Sequence, residues 1–270
     1  MNILETIIAQ KKTEVAIRKQ LTSIQKLENG PFFSNKTLSL QQFLLDETRT
    51  GIIAEFKRKS PSKGIINDKA QVEEVTAAYA KYGASGISVL TDELFFGGSL
   101  NDLLAATRNQ VPLLRKDFMI DEYQLIEAKA FGAEVILLIA ACLSPEKVKQ
   151  MAGTARKLGL EVLLEINNED ELEHICDDVT LVGVNNRNLK TFDVSIENSL
   201  KLINKIPKEK PAVAESGISD IDTIVTLRQA GFKGFLIGEN FMKQANPSVA
   251  FADFVNALNN SIETGKGVLK

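Results

Sequence analysis

One histidine, His174, and two cysteines, Cys142 and Cys176, are all that 270 residues offer of the side chains most used to bind zinc or act as nucleophiles. A zinc centre built on Cys and His needs a cluster of such ligands, and the sequence has none. Two cysteines do not make a disulfide framework, so the expected setting is the reducing cytoplasm. The longest apolar run, Val135–Leu143, is too short to span a bilayer. The first twenty residues carry Lys11, Lys12, Arg18 and Lys19, but no apolar segment followed by a small-residue cleavage site. Positive charge is not in excess either: the formal net charge is -3, which gives no electrostatic footprint for nucleic acid. Acid–base chemistry is left to carboxylates and lysines.

What is present is a rhythm. Apolar residues make up 44% of the chain and charged residues 25%, an ordinary globular balance. Short β-branched or apolar runs alternate with longer helical patterns, the signature of βαβ units around a parallel sheet. Eight strands are expected: Gly51–Lys57, Gly86–Thr91, Val111–Lys116, Glu134–Ile139, Glu161–Glu165, Leu181–Asn185, Ala212–Glu215 and Gly234–Gly238. Helix signals fill the intervals. Asp68 precedes an apolar pattern of Val72, Val75, Ala78 and Tyr79 that stops before Gly83. Ser144-Pro145-Glu146 supplies a cap, a proline at the first helical position and an acid. Ser219-Asp220 and Asn246-Pro247 open two more helices.

Eight strands in this alternation allow a closed barrel or a doubly wound open sheet. No GxGxxG follows the first strand, which disfavours the dinucleotide-binding open sheet. The expected fold is therefore α/β: a single (β/α)8 TIM barrel over residues 1–270, a length that suits one such barrel. Residues 1–48 form an N-terminal helical extension that a minimal barrel does not need. Ile3, Leu4, Ile7, Ile8 and Val15 give it an amphipathic helix, and Leu38–Leu45 a short second one. Amphipathicity identifies a buried face without naming its neighbour, so a plug under the floor and a lid facing the substrate are both open.

In a βα barrel the active site lies at the C-terminal ends of the strands. There the sequence concentrates charge. Side chains alternate along a strand, so Ile53, Glu55 and Lys57 share a face, and an inward Ile53 sends both charged residues into the barrel mouth. Lys116 shares the face of Leu114; Glu165, Asn185-Asn186-Arg187 and Glu215-Ser216-Gly217 end later strands. Three carboxylates, two lysines, an amide and an arginine thus converge from five strands. A salt-bridge network closing the barrel top would account for any one of them, but not for their restriction to one end. Loops after strands seven and eight commonly bind phosphate through backbone N–H groups. Here these loops carry Gly217 and Gly238, where the backbone can approach an anion without a Cβ in the way. Glu239 follows, and beside a phosphate its side chain would have to turn away. His174 sits away from any strand end and reads as a surface or packing residue, and Cys142 has no activating partner nearby.

These strings resemble those of indole-3-glycerol-phosphate synthases, enzymes of tryptophan biosynthesis. The most specific is Ile52-Ile53-Ala54-Glu55-Phe56-Lys57-Arg58-Lys59-Ser60-Pro61-Ser62. Ser88-Val89-Leu90-Thr91-Asp92 with Phe96-Gly97-Gly98-Ser99, and Leu114-Arg115-Lys116-Asp117-Phe118, are similar as well. So are Glu165-Ile166, Gly183-Val184-Asn185-Asn186-Arg187-Asn188-Leu189 and Ala214-Glu215-Ser216-Gly217-Ile218. The resemblance implies a carboxy-lyase that takes 1-(2-carboxyphenylamino)-1-deoxyribulose 5-phosphate to indole-3-glycerol phosphate, carbon dioxide and water. It implies no cofactor and no metal. Lys116 would protonate the ribulose carbonyl, and Glu165 would move protons in the dehydration with Lys57 as a partner. Glu55 and Glu215 would orient lysines and substrate hydroxyls, joined by Asn185, Arg187 and Ser216. Gly217, Gly238 and the backbone at Glu239 would hold the phosphate; Ser60 and Phe118 complete the expected substrate contacts. The expected partner is this small phosphorylated molecule, with neither nucleic acid nor membrane, acting on a monomer or a weak homo-oligomer. A phosphoribosylanthranilate isomerase, the nearest rival, uses a cysteine near the end of its first strand; Glu55-Phe56-Lys57 offers none. A barrel that binds ligand without turnover is the distant rival.

Overall fold

A computed structural model describes residues 3–187 and 193–263. Eight parallel strands close into a barrel, each hydrogen-bonded to the next and the last to the first. They are β1 (Ile52–Phe56), β2 (Gly86–Leu90), β3 (Leu113–Lys116), β4 (Val135–Ile139), β5 (Glu161–Ile166), β6 (Leu181–Asn185), β7 (Ala212–Glu215) and β8 (Gly234–Ile237). All eight fall where the sequence predicts, with ends shifted by a residue or two. The largest shift is at β3, where Pro112, lacking an N–H for the ladder, delays the strand start from Val111 to Leu113. A two-stranded ribbon, Lys59–Ser60 against Gly64–Ile65, projects from the loop after β1.

Around the barrel run α3 (Val72–Lys81), α4 (Leu100–Ala106), α5 (Glu122–Ala130), α6 (Pro145–Lys157), α7 (Glu197–Leu202), α8 (Ile221–Ala230) and α9 (Pro247–Glu263). Between β5 and β6 the chain makes only a 3-10 helix, Glu169–His174. The caps explain several boundaries. Ser144 accepts the N–H of Lys147 ahead of Pro145, and Asp220 accepts that of Thr223. Asp68 does not cap α3, which begins after Gln71 with no side-chain cap bond. His174 is buried, its ring nitrogens 3.1 and 3.0 Å from the carbonyls of Glu171 and Leu143, so it is a packing residue.

The strands alternate as expected. Ile53, Leu114, Val135, Leu137, Leu163, Leu181, Val213 and Leu236 form one apolar cluster inside the barrel, separate from the larger core between strands and helices. The N-terminal extension serves both ends. The helix α2 (Leu40–Leu45) sends Leu40 and Leu44 into the inner cluster from below. Glycines admit them: a Cβ at Gly86 would lie 2.6 Å from Leu40 Cδ1, and one at Gly234 would lie 3.1 Å from Leu44 Cδ1. The helix α1 (Ile3–Leu21) lies at the opposite end, with Ile3, Leu4 and Ile7 walling the cavity described next. Plug and lid are thus two parts of one extension.

Candidate active site

A cavity of about 600 Å³ opens at the C-terminal ends of the strands, a volume that suits a drug-sized ligand. Six candidate catalytic residues line it: Glu55 from β1 and Lys57 just beyond it, Lys116 from β3, Glu165 from β5, Asn185 from β6 and Glu215 from β7. Ser60, Phe118, Arg187, Ser216, Gly217, Gly238 and Glu239 line it too, so every residue singled out in the sequence meets in one space. Of the string that carried Arg187, Asn188 and Leu189 lie outside the described residues.

The charges form two groups. Lys116 Nζ lies 2.6 Å from Glu215 Oε2 and 3.1 Å from Glu165 Oε2. Asn185 Nδ2 donates to the other oxygen of Glu165 at 2.8 Å. Lys57 Nζ lies 2.7 Å from Glu55 Oε1. Burial, the largest influence on Lys116, works against its ammonium, but Glu215, Glu165 and Glu55 together outweigh it and hold the proton well above the ordinary lysine range. Glu215 is pushed up by burial, against the pull of Lys116 and with help from Glu165 and Glu55. Its Oε1 is buried and has no hydrogen-bond partner among the described residues.

Opposite the charges the cavity is apolar. Leu90, Leu137, Ile139 and Leu236 form its depth, and Phe118 sits 6.0 Å from Phe96 at a 42° tilt near the rim. At the end of β7 the backbone turns sharply: Ser216 and Gly217 both take left-handed conformations, with φ of 68° and 72°. That conformation is natural for glycine and costs a serine roughly 1 kcal/mol, and Asn186 Nδ2 braces it through the Ser216 carbonyl at 3.0 Å. Gly238 keeps a negative φ of -129°, and its missing side chain admits Glu55, whose Oε1 would lie 2.6 Å from a Cβ there. At Gly217 the left-handed φ favours glycine, and a Cβ there would lie 2.0 Å from Val194 Cγ1; at both glycines a neighbouring side chain takes the space expected for an anion. Glu239 does not turn away: it lines the cavity, 3.8 Å from Arg187 Nη2.

Sequence reasoning missed a second charge cluster directly behind the first. Lys11, only 1% exposed, puts its ammonium 2.9 Å from Glu14, 2.9 Å from Asp92 and 2.8 Å from Asp117. Arg115, fully buried, reaches Asp117 at 3.1 Å and Glu127 at 2.9 Å, and bonds Thr91 and the Gln124 carbonyl at 3.0 Å each. Lys11 and Arg115 hold the Asp117 carboxyl at about 2 despite its burial. This network clamps α1 to the ends of β2 and β3. A signal was available: Lys11 falls in the buried stripe Ile7–Lys11–Val15 of α1, where a lysine needs a buried partner. Cys142 is the converse case. Burial pushes its thiol up to about 12, and Glu165 and Glu171 add to this, so it is not a thiolate nucleophile. Among the described residues no group of His, Cys, Asp and Glu could hold a metal ion, and no helix is long and apolar enough to cross a membrane.

Opposed acids and ammonium groups at the C-terminal rim of a closed parallel barrel define a (β/α)8-barrel enzyme. The barrel is shared with tryptophan synthase subunit alpha from Legionella pneumophila, at a TM-score of 0.60 and 12% identity over 83% of this chain and 97% of that one. At that identity the likeness concerns fold alone. Sequence goes further. The profile of the indole-3-glycerol phosphate synthase family matches residues 4–254. The indole-3-glycerol phosphate synthase of Bacteroides thetaiotaomicron is 48% identical, over 95% of this chain and 99% of its own length. That of Salinibacter ruber is 43% identical, over 93% and 94%. The chain belongs to the indole-3-glycerol phosphate synthase family.

Proposed function

We propose that the cavity closes the indole ring of 1-(2-carboxyphenylamino)-1-deoxyribulose 5-phosphate, releasing carbon dioxide and water and leaving indole-3-glycerol phosphate. The observation that carries this reading is Lys116, a protonated amine held between Glu165 and Glu215 over an apolar floor. The ring carbon bearing the carboxylate attacks the ribulose carbonyl, and the carbonyl oxygen gathers negative charge. An alkoxide is a strong base, so Lys116 can protonate it even though its carboxylates make it a reluctant acid. Such general acid catalysis contributes about 10²–10⁴-fold. Loss of carbon dioxide returns the electron pair to the ring. In the dehydration the new hydroxyl leaves as water and a neighbouring carbon gives up a proton; Glu165, steadied by Asn185, takes part in that transfer, with Lys57 as proton partner.

The two anionic ends of the substrate need separate counter-charges. Lys57 and Lys116 face the carboxylate end, and Phe118 with Leu90 offers apolar surface to the anthranilate ring. The phosphate belongs to the loops at Ser216-Gly217 and Gly238-Glu239, held by backbone N–H groups with Arg187 beside them; Ser60 closes the rim near Lys57. Glu239 holds Arg187 from the side and orients it. Two free cysteines are in keeping with a reducing cytoplasm.

A fluorescence assay for indole formation tests the reading. The wild-type chain should turn the carboxyphenylamino substrate over, and Lys116→Ala should lower kcat by at least ~10²-fold with the fold intact. Unchanged turnover in Lys116→Ala would remove the assigned acid; isomerisation of phosphoribosylanthranilate, or binding without turnover, would favour the two rivals.

A further inference from the structure

Four glycines face the barrel interior, and each is pressed by a side chain from elsewhere. At the floor the visitors are the plug leucines met by Gly86 and Gly234. At the rim they are carboxylates. A Cβ on Gly183 would lie 2.1 Å from Glu215 Oε1 and 3.2 Å from its carboxyl carbon; one on Gly238 would lie 2.6 Å from Glu55 Oε1 and 2.8 Å from Glu55 Cβ. Real Cβ contacts do not come so near, so any larger residue must move the carboxylate.

The backbone of Gly183 does not itself need glycine. It lies inside β6, paired with Glu165 on one side and Val213 on the other, and is not among the positive-φ glycines. Its value is empty space. Glu215 stands one step further up, level with Asn185, and its side chain leans down over the vacancy. There Oε1 is buried with no partner among the described residues, while Oε2 holds Lys116 at 2.6 Å. An unpaired buried oxygen is costly, so among the described residues no hydrogen bond at Oε1 keeps the group in this pose. The shape of the hollow and the ammonium on the other oxygen do so.

We infer that Gly183 is a positioning residue of the ring-closing reaction: the hollow left by its absent side chain seats Glu215, and through Glu215 orients the Lys116 ammonium. Gly238 and Glu55 repeat the arrangement beneath Lys57. The inference rests on the role proposed for Lys116.

A double-mutant cycle tests it. Gly183→Ala should lower kcat at least about 10-fold. Because Lys116 loses the field of a displaced carboxylate, the alkaline limb of the kcat profile should also move to lower pH. In a Glu215→Ala background, where nothing remains to be displaced, adding Gly183→Ala should change kcat by less than about 2-fold and leave the pH profile where it was. Equal losses in both backgrounds, or no loss in the first, would overturn the inference. If Gly183→Ala alone does not fold, recovery of the fold in the Glu215→Ala background supports the contact, and failure in both rejects it. A wild-type chain that forms no indole would sink the reading of the site, whereas an active wild type with an additive cycle would sink only the role of Gly183.

Discussion

Neighbouring residues of β3 enter two charge clusters that differ in kind. Arg115 and Asp117 point away from the barrel axis into the network with Lys11, Thr91 and Glu127, where each charge meets opposite charge or a hydrogen bond. Lys116, between them in sequence, points inward to a cluster that opens on the cavity and leaves Glu215 Oε1 without a partner among the described residues. The outer cluster is closed and satisfied, as a structural clamp should be. The inner one is incomplete among the described residues and holds a carboxyl pushed up by burial, in keeping with the proton-transfer role proposed for it. Satisfaction, more than burial or charge count, separates the two.

Removing one lysine from each cluster should break the symmetry most clearly. Lys11→Ala removes the cation that Asp92 and Asp117 share and leaves Asp117 to Arg115 and Thr91, and breaking a buried ion pair this way costs about 3–5 kcal/mol. Calorimetry should show Tm falling by roughly 6–20 °C. Lys116→Ala, which faces the cavity and leaves behind a Glu215 already inclined to take a proton, should lower Tm by less than half as much while losing the catalysis described above. Equal melting shifts would erase the distinction.

Acid titrates the outer cluster next. The Asp117 carboxyl sits at about 2, below its unfolded value of about 3.9. Its contribution is whole above about pH 5 and is lost as pH falls through 2, on the order of 2–3 kcal/mol. Urea unfolding at pH 5 and near pH 2 should show this slope flattened in Asp117→Asn; an unaltered slope would move the acid sensitivity elsewhere. At the exposed edge of the same network, Asp121 caps α5 and meets Lys19 at 2.7 Å. Asp121→Ala should cost only about 1 kcal/mol, the usual worth of a cap, because the ion pair is open to water.

The inner cluster was legible in the sequence because period-two alternation links each charge to an apolar residue whose direction is known: Ile53 to Glu55, Leu114 to Lys116, Leu163 to Glu165 and Val213 to Glu215. The outer cluster was not, because alternation turns Arg115 and Asp117 outward but cannot say what covers them, and the answer lies in a helix about a hundred residues earlier. The extension posed the same difficulty. Its apolar stripe gave two possible neighbours, and only packing revealed that α1 took one and α2 the other. Gly238 reads in sequence as an anion contact and Gly183 carries no signal of its own, because nothing local tells that distant carboxylates occupy their empty volume.

The clamp on α1 also bears on how the molecule is made. This helix leaves the ribosome before its partners: Arg18 finds Glu127 only 109 residues later, and Lys11 must wait for Asp92 and Asp117. The pairing of β1 with β8 takes longer still, since almost the whole chain must emerge before the ring can join. Contacts so distant in sequence carry a large closure entropy and form slowly. An unfinished barrel therefore lacks its last seam, and the reaction chamber comes into being only after β8 has emerged.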